Sequence, residues 1–332
     1  MMTFEQIIDN LKKKTYQPVY FLMGEESYYI DQITDYILDN VLTEAEKGFN
    51  LTILYGKETD VNSIIMASRR FPMMSEWQVV LVREAQNIKN IEDLVSYCEK
   101  PLKSTILVVN YKYSTLDKRK KLAKVVDKNG VLFESKKIYD NQLPAWINQY
   151  LKRHNFTITP QASQMLADFL GTDLNKVANE LDKLVIVLPA GTQITPDHVE
   201  KNIGISKEYN IFELQNALGD KDVLKANRII NYFGANLNNN PLVKTISSLF
   251  FYFHKLLTLH YTADKSNASL AAALQVNIHF VEAYKRAAKN YSIRKVVEVI
   301  GILREYDMKS KGLGSTASPE DLQREMIYKI LH

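Results

Sequence analysis

Cysteine is nearly absent from this 332-residue chain. The single cysteine, Cys98, excludes an internal disulfide framework and is typical of proteins in a reducing compartment. A chain of this length predicts two or three domains, each large enough for its own core. We therefore expect a cytoplasmic protein that is stabilised by packing rather than by covalent cross-links.

The sequence also lacks an uninterrupted apolar run long enough to cross a membrane. Its most apolar stretch, residues 242–261, is interrupted by Lys244, His254 and Lys255, which predicts a buried helix rather than a membrane span. The first eleven residues carry Glu5 and Asp9 in an amphipathic pattern, which does not resemble a signal peptide. We expect no membrane partner.

Charge of one sign does not dominate. The chain has 42 basic and 38 acidic residues, a net charge of +4, so composition alone gives no global attraction to nucleic acid. Basic residues do cluster locally in the run Lys118, Arg119, Lys120 and Lys121. Such a run is most often a solvated helix face, and it is also our candidate for contact with DNA phosphates.

Motifs for catalysis, metal binding and nucleotide binding are missing. The six histidines form neither an HExxH motif nor a Cys/His cluster, and no nucleophile has a Ser/His/Asp context. The turn after the first predicted strand, Gly24-Glu25-Glu26-Ser27, lacks the second glycine and the lysine of a phosphate-binding loop. Its two carboxylates would repel a triphosphate. We expect no catalytic residues, no metal and no cofactor, and hence no intrinsic enzymatic activity.

Short apolar runs alternate with helical patterns over residues 1–139. Strands are predicted near residues 19–23, 51–55, 78–83, 105–109 and 130–133. Amphipathic helical patterns lie between them. This alternation predicts a parallel sheet covered by helices on both faces.

No convincing strand pattern follows residue 139. Thr159-Pro160 and Thr195-Pro196 are helix-start signatures, with a capping residue before a first-turn proline. Short helices predict a small helical domain over residues 140–206, and longer helices predict a third domain over residues 207–332. The predicted fold class is therefore α/β plus all-α.

The stretch Phe71-Pro72-Met73-Met74 fits neither pattern, and it precedes the third predicted strand. Neighbouring residues point in different directions, so Met73 and Met74 do not easily share one core face. The proline biases Phe71 away from helical geometry. Methionine is flexible and is frequent on surfaces that dock into a partner's groove. The residues alone favour packing of these side chains in the core. The alternative interpretation is an exposed tip that docks into a partner.

Four stretches together resemble one family, the delta subunit of the bacterial DNA polymerase III clamp loader. They are residues 18–30, residues 71–76 running into 79–82, residues 171–174 with 179–184, and residues 210–214 with Ala217. They occur in the order of the predicted domains, so the resemblance covers essentially the full chain.

The resemblance implies an AAA+-like domain without a working ATP site (residues 1–139), a small helical domain (140–206) and a helical collar (207–332). In this family the subunit binds the DNA sliding clamp and helps to open it for loading onto primed DNA, while the collar attaches to other clamp-loader subunits. The matching positions assign clamp binding to Phe71, Pro72, Met73 and Met74. Family members often have an aromatic residue where this chain has Met74.

Two hypotheses of other classes remain beside the non-catalytic clamp-loader subunit. A degenerate AAA+ ATPase would need phosphate binding at residues 24–27, and the two glutamates there argue against it. A nucleic-acid-binding adaptor would act through the basic helix predicted over residues 118–128. Its DNA binding would weaken steeply with added salt.

Overall fold

Five short apolar runs form a single parallel sheet in the N-terminal part of the chain. The structure, a computed structural model that describes residues 2–332, places this sheet in the first of two units, Met1–Ile138 and Tyr139–His332. Across the sheet the strand order is β2-β3-β4-β1-β5, and every neighbouring pair is parallel. The strands are β1 (Val19–Gly24), β2 (Leu51–Tyr55), β3 (Gln78–Arg83), β4 (Thr105–Lys112) and β5 (Val131–Ser135).

Helices cover both faces of this sheet, as predicted. Along β1, Phe21 and Met23 enter one core cluster, and Tyr20 and Leu22 enter the other. Because the central strands β3, β4 and β1 are buried on both faces, they read as continuous apolar runs rather than as alternating patterns. The helices of this unit are α1 (Phe4–Lys12), α2 (Ser27–Asn40), α3 (Glu44–Asn50), α4 (Val61–Ser68), α5 (Val95–Cys98) and α6 (Lys121–Asn129).

The second unit is built mainly from helices. They are α7 (Leu143–Arg153), α8 (Pro160–Leu170), α9 (Leu174–Val187), α10 (Pro196–Ile203), α11 (Ile211–Gly219), α12 (Val223–Ala235), α13 (Leu242–Tyr261), α14 (Asn267–Leu274), α15 (Val281–Asn290), α16 (Ile293–Ser310) and α17 (Pro319–Leu331). The predicted boundary between residues 206 and 207 lies inside this unit, and the division into three domains stays a prediction. Among residues 2–332, no helix combines the length and apolarity that a membrane crossing requires.

The second unit does contain two strands, contrary to the prediction. β6 (Thr157–Ile158) and β7 (Gln193–Ile194) form a short parallel pair. Each has only two residues and ends directly before the threonine that precedes α8 or α10. Two residues are too few to establish an alternating pattern, so the sequence contains no signal for them.

Asp168 on α8 is the ionisable group of the second unit with the clearest consequence for stability. Burial raises the pKa of its carboxyl to about 6, although Gln164 Nε2 donates to it at 2.8 Å and Lys255 and Lys244 favour its charged form. The folded chain thus holds this proton more tightly than the unfolded chain. Stability therefore falls as the pH rises from about 4 to about 6, and the loss is complete above that window.

We expect Asp168→Asn to raise the free energy of unfolding at pH 7 by about 1 to 3 kcal/mol, because the neutral amide avoids the cost of burying a carboxylate charge. Below pH 4 the change should have little effect. Urea unfolding at both pH values measures this. Asp197→Asn is the control, and we expect it to lower rather than raise the stability at pH 7. Lys207 lowers the pKa of Asp197 through a hydrogen bond at 2.6 Å, so the charged carboxylate favours the folded chain. A stability gain for Asp168→Asn of equal size at both pH values would contradict the prediction.

Candidate docking site

Residues Phe71–Met74, here named the docking tip, lie in the loop that connects α4 to β3. The side chain of Phe71 is 75% exposed, that of Met73 is 56% exposed and that of Met74 is 100% exposed. None of the four residues belongs to a core cluster of the described chain. Core packing, which the residues alone favoured, is therefore excluded for these side chains within the chain. Their contact with a clamp stays a prediction.

The backbone of the docking tip is fixed although its side chains are exposed. The Met73 N–H donates to Asn50 Oδ1 at 2.7 Å, and Asn50 Nδ2 donates to the Met73 carbonyl oxygen at 2.9 Å. Asn50 is the last residue of α3 and is buried. Met74, the next residue, has a φ of 52°, in the left-handed region that few non-glycine residues occupy.

A second side chain of α3, that of Glu46, lies near the residue that follows the docking tip. Glu46 lies one turn before Asn50, so the two side chains share a face of the helix. Its carboxylate accepts hydrogen bonds from the backbone and hydroxyl of Thr43, at 2.8 and 2.7 Å, and the hydroxyl of Ser75 also favours its charged form. These interactions, those with Thr43 first, lower the pKa of Glu46 below its ordinary value, so the carboxylate is charged at neutral pH.

The base of the loop is tied to the sheet. Gln78, the first residue of β3, donates through Nε2 to the Ala67 carbonyl oxygen at 2.8 Å and to Thr105 Oγ1 at 3.2 Å. Trp77 packs edge-on against Tyr16, with ring centroids 5.4 Å apart. The tryptophan therefore packs against the rest of the first unit, while Phe71, Met73 and Met74 project from the loop into solvent.

Sequence reasoning missed Asn50 and Glu46 as parts of this site. The spacing Thr43-x-x-Glu46 is a capping box, and the structure contains that box at the start of α3. The influence of Ser75 on Glu46 and the pairing of Asn50 with Met73 left no local pattern. In the second case the partners are 23 residues apart.

The turn after β1 uses its backbone amides within the chain. The N–H of Gly24 donates to the Ser114 carbonyl oxygen at 3.0 Å, and that of Glu25 donates to the Ser135 carbonyl oxygen at 3.2 Å. The buried carboxylate of Glu26 caps α2, at the helix end where a bound phosphate would otherwise accept hydrogen bonds. Within residues 2–332, no group of three His, Cys, Asp or Glu side chains is placed to hold a metal ion.

Comparison with known proteins agrees with this architecture. Residues 20–136, which include the whole docking tip, match the family described as DNA polymerase III, delta subunit. DNA polymerase III subunit delta of Bacillus subtilis (strain 168) is 26% identical over 316 residues, which cover 91% of this chain and 90% of that protein. The resemblance of this chain to the DNA polymerase III delta subunit family is thus confirmed.

A solved member of the delta family shares the fold. The Bacillus subtilis DNA clamp loader delta protein YqeN aligns over 99% of both chains, with a TM-score of 0.58 and 24% identity. The predicted fold class, a parallel-sheet α/β part followed by a mainly helical part, is confirmed.

Every basic residue proposed for DNA contact is paired with an acidic side chain. The pairs are Lys118 with Glu134 at 2.5 Å, Arg119 with Asp117 at 2.8 Å, Lys120 with Glu92 at 3.4 Å and Lys121 with Glu99 at 2.6 Å. The helix predicted over residues 118–128 is shorter than expected and begins at Lys121, because Asp117 accepts from the Arg119 N–H and forms a turn there. DNA contact by this run stays a prediction.

Proposed function

We propose that this chain is a non-catalytic clamp-loader subunit that binds the DNA sliding clamp and helps to open it for loading onto primed DNA. The observation that best supports clamp binding is the docking tip, with its exposed apolar side chains on a fixed backbone. The name of the solved relative, a DNA clamp loader delta protein, supports the same function. This function places the chain in the cytoplasm, where it acts on replicating DNA.

The chemistry of the docking tip suits an apolar groove on the clamp. Transfer of a methionine side chain from water into such a groove contributes roughly 1.5 to 3 kcal/mol. The thioether also adapts to an irregular surface. The fixed backbone limits the conformational entropy that is lost on binding. Opening of the clamp interface would then use part of the binding energy gained at the docking tip.

The proposed attachment to other loader subunits uses the third predicted domain, residues 207–332. Along α13, exposed apolar side chains recur at intervals that place them on one side of the helix, namely Val243, Phe250, Phe251 and Tyr261. The opposite side of α13 packs in the core through Leu249, Tyr252 and Leu256. A row of large apolar side chains at a surface is typical of a protein interface, and we assign this row to contacts between subunits.

A calorimetric titration of the purified chain with the sliding clamp of the same organism tests the proposed function. We expect saturable binding with a dissociation constant in the micromolar range or lower, since two buried anchors supply several kcal/mol. Absence of binding heat at several temperatures, together with no complex in sedimentation, would contradict clamp binding.

Primed DNA is the third proposed partner, and the basic run is the proposed contact. Exposed ion pairs contribute only about 0 to 1 kcal/mol, so these side chains can exchange a carboxylate for a phosphate. We expect Lys118→Gln with Lys121→Gln to lower the slope of log affinity against log salt by about 1 to 2 when the assembled loader binds DNA. Lys295→Gln, which removes a pair with Glu298 in the second unit, is the control. An unchanged slope would remove the run as a DNA contact.

A further inference from the structure

The side-chain amide of Asn50 hydrogen-bonds the backbone of the docking tip in the way that the backbone of a neighbouring β-strand would. This amide supplies one acceptor and one donor, and both are used by the same residue, Met73. Asn50 is only 3% exposed, so water competes poorly for these two bonds. The side chain of Met73 is meanwhile more than half exposed. Asn50 thus fixes the backbone of a residue whose side chain remains available to a partner.

The left-handed conformation of Met74 requires support on both sides. A non-glycine residue in that region is strained and persists only where its surroundings determine it. Here Met73 is held by Asn50, and the hydroxyl of Ser75 accepts a hydrogen bond from the Trp77 N–H at 3.3 Å. Met74 lies between these two held residues and projects fully into solvent. Asn50 therefore fixes the backbone on one side of the most exposed residue of the docking tip.

We propose that Asn50 is a positioning residue for clamp binding, which holds the docking tip in its binding conformation before the clamp arrives. This inference rests on the proposed function, and it adds a residue that does not itself touch the clamp. Without the Asn50 pairing, the loop would occupy its binding conformation for only a fraction of the time. The apparent dissociation constant rises in inverse proportion to that fraction.

The test is clamp binding by Asn50→Ala, measured by the same titration. Loss of two hydrogen bonds to the loop is expected to weaken the affinity by about 10-fold. Association should slow more than dissociation quickens, because fewer molecules are competent at encounter. Asn50→Asp retains the acceptor for the Met73 N–H and places an oxygen against its carbonyl. We expect an intermediate loss for this variant, which also serves if Asn50→Ala folds poorly.

Asn110→Ala is the matched control for a general loss of stability. Asn110 is the same residue type in the same unit, is also 3% exposed and accepts a hydrogen bond from Thr34 Oγ1 at 3.0 Å. We expect this variant to melt at a lower temperature but to bind the clamp as the unchanged chain does. If both asparagine variants lose affinity in proportion to their melting temperatures, the effect is one of stability and the proposal is overturned.

A double-mutant cycle separates this proposal from the proposed function. When Met73 and Met74 are already alanine, Asn50→Ala should weaken the residual binding by less than 2-fold, because little is left to position. Full additivity would overturn the positioning role. If the unchanged chain binds and Asn50→Ala binds equally well, the positioning role fails while clamp binding stands. If the unchanged chain does not bind, the proposed function fails and the positioning role fails with it.

Discussion

Changing Met73 and Met74 together to alanine is expected to weaken clamp binding by about 10² to 10³-fold, while the melting temperature stays unchanged. Each methionine contributes roughly 1.5 to 3 kcal/mol when a partner buries it. Anchor residues of interfaces commonly cost 2 kcal/mol or more on truncation. The pair therefore accounts for about 3 to 5 kcal/mol of binding free energy.

Stability should not change, because neither side chain packs in the core. Met74 is fully exposed, and surface substitutions usually alter stability by less than about 0.5 kcal/mol. Alanine also has a Cβ atom, so the left-handed conformation at position 74 costs a similar amount before and after the change. The Asn50 bonds reach only the backbone of Met73 and survive the substitution.

Calorimetry for affinity and calorimetric melting for stability provide the two measurements. Met308→Ala is the matched control, since Met308 is an exposed methionine on α16 in the other unit. We expect that variant to bind the clamp normally. A fall in melting temperature for the double variant, in parallel with lost binding, would mean that Met73 and Met74 stabilise the fold rather than contact the clamp. Unchanged binding would place the clamp contact elsewhere on the chain.

The sequence predicted the sheet well because its strands, apart from the half-exposed edge strand β2, are buried on both faces. The predicted runs 51–55 and 78–83 coincide with β2 and β3. A strand with two buried faces is apolar at every position, and turn residues bound it clearly. The docking tip was visible as a proline and an adjacent methionine pair where neither helix nor strand fits. Its exposure did not follow from the residues alone, and the family resemblance was needed to favour docking.

Contacts between distant segments could not be predicted in this way. The partner of Lys118 is Glu134 on β5, and the partner of Lys121 is Glu99, which follows α5. The sequence shows a basic run, and only the packing of α6 against its neighbours brings carboxylates to it. The pairing of Asn50 with Met73 is of the same kind. Local patterns report burial and helix ends, whereas the support of an exposed loop depends on which elements meet.

Gly24→Ala is the second change for which we expect a large effect, here on stability. Gly24 ends β1 with a φ of 124°, a conformation that L side chains rarely adopt. A Cβ at this position would lie 2.1 Å from the carbonyl oxygen of Ser135 and 2.7 Å from its backbone nitrogen. Ser135 is the partner of Gly24 in the ladder between β1 and β5, so neither strand can easily move away.

The expected loss combines two contributions. The unfavourable φ costs about 1 to 3 kcal/mol, and forcing an extra carbon into a packed site costs about 1 to 3 kcal/mol. Together they lower the free energy of unfolding by about 2 to 6 kcal/mol. In a nucleotide-binding protein a glycine at this place lets phosphate approach the backbone. In this chain the backbone that comes closest to Gly24 is that of Ser135 on β5.

Gly191→Ala separates the two contributions. Gly191 has a φ of 83°, and among the described residues no atom outside its immediate chain neighbours lies within 4 Å of a Cβ built there. We expect Gly191→Ala to cost about 1 to 2 kcal/mol, the conformational part alone. Urea unfolding of both variants gives the comparison. Equal losses would mean that Ser135 shifts to accommodate the methyl group, and the glycine would then be needed for its φ rather than for the close approach of β5.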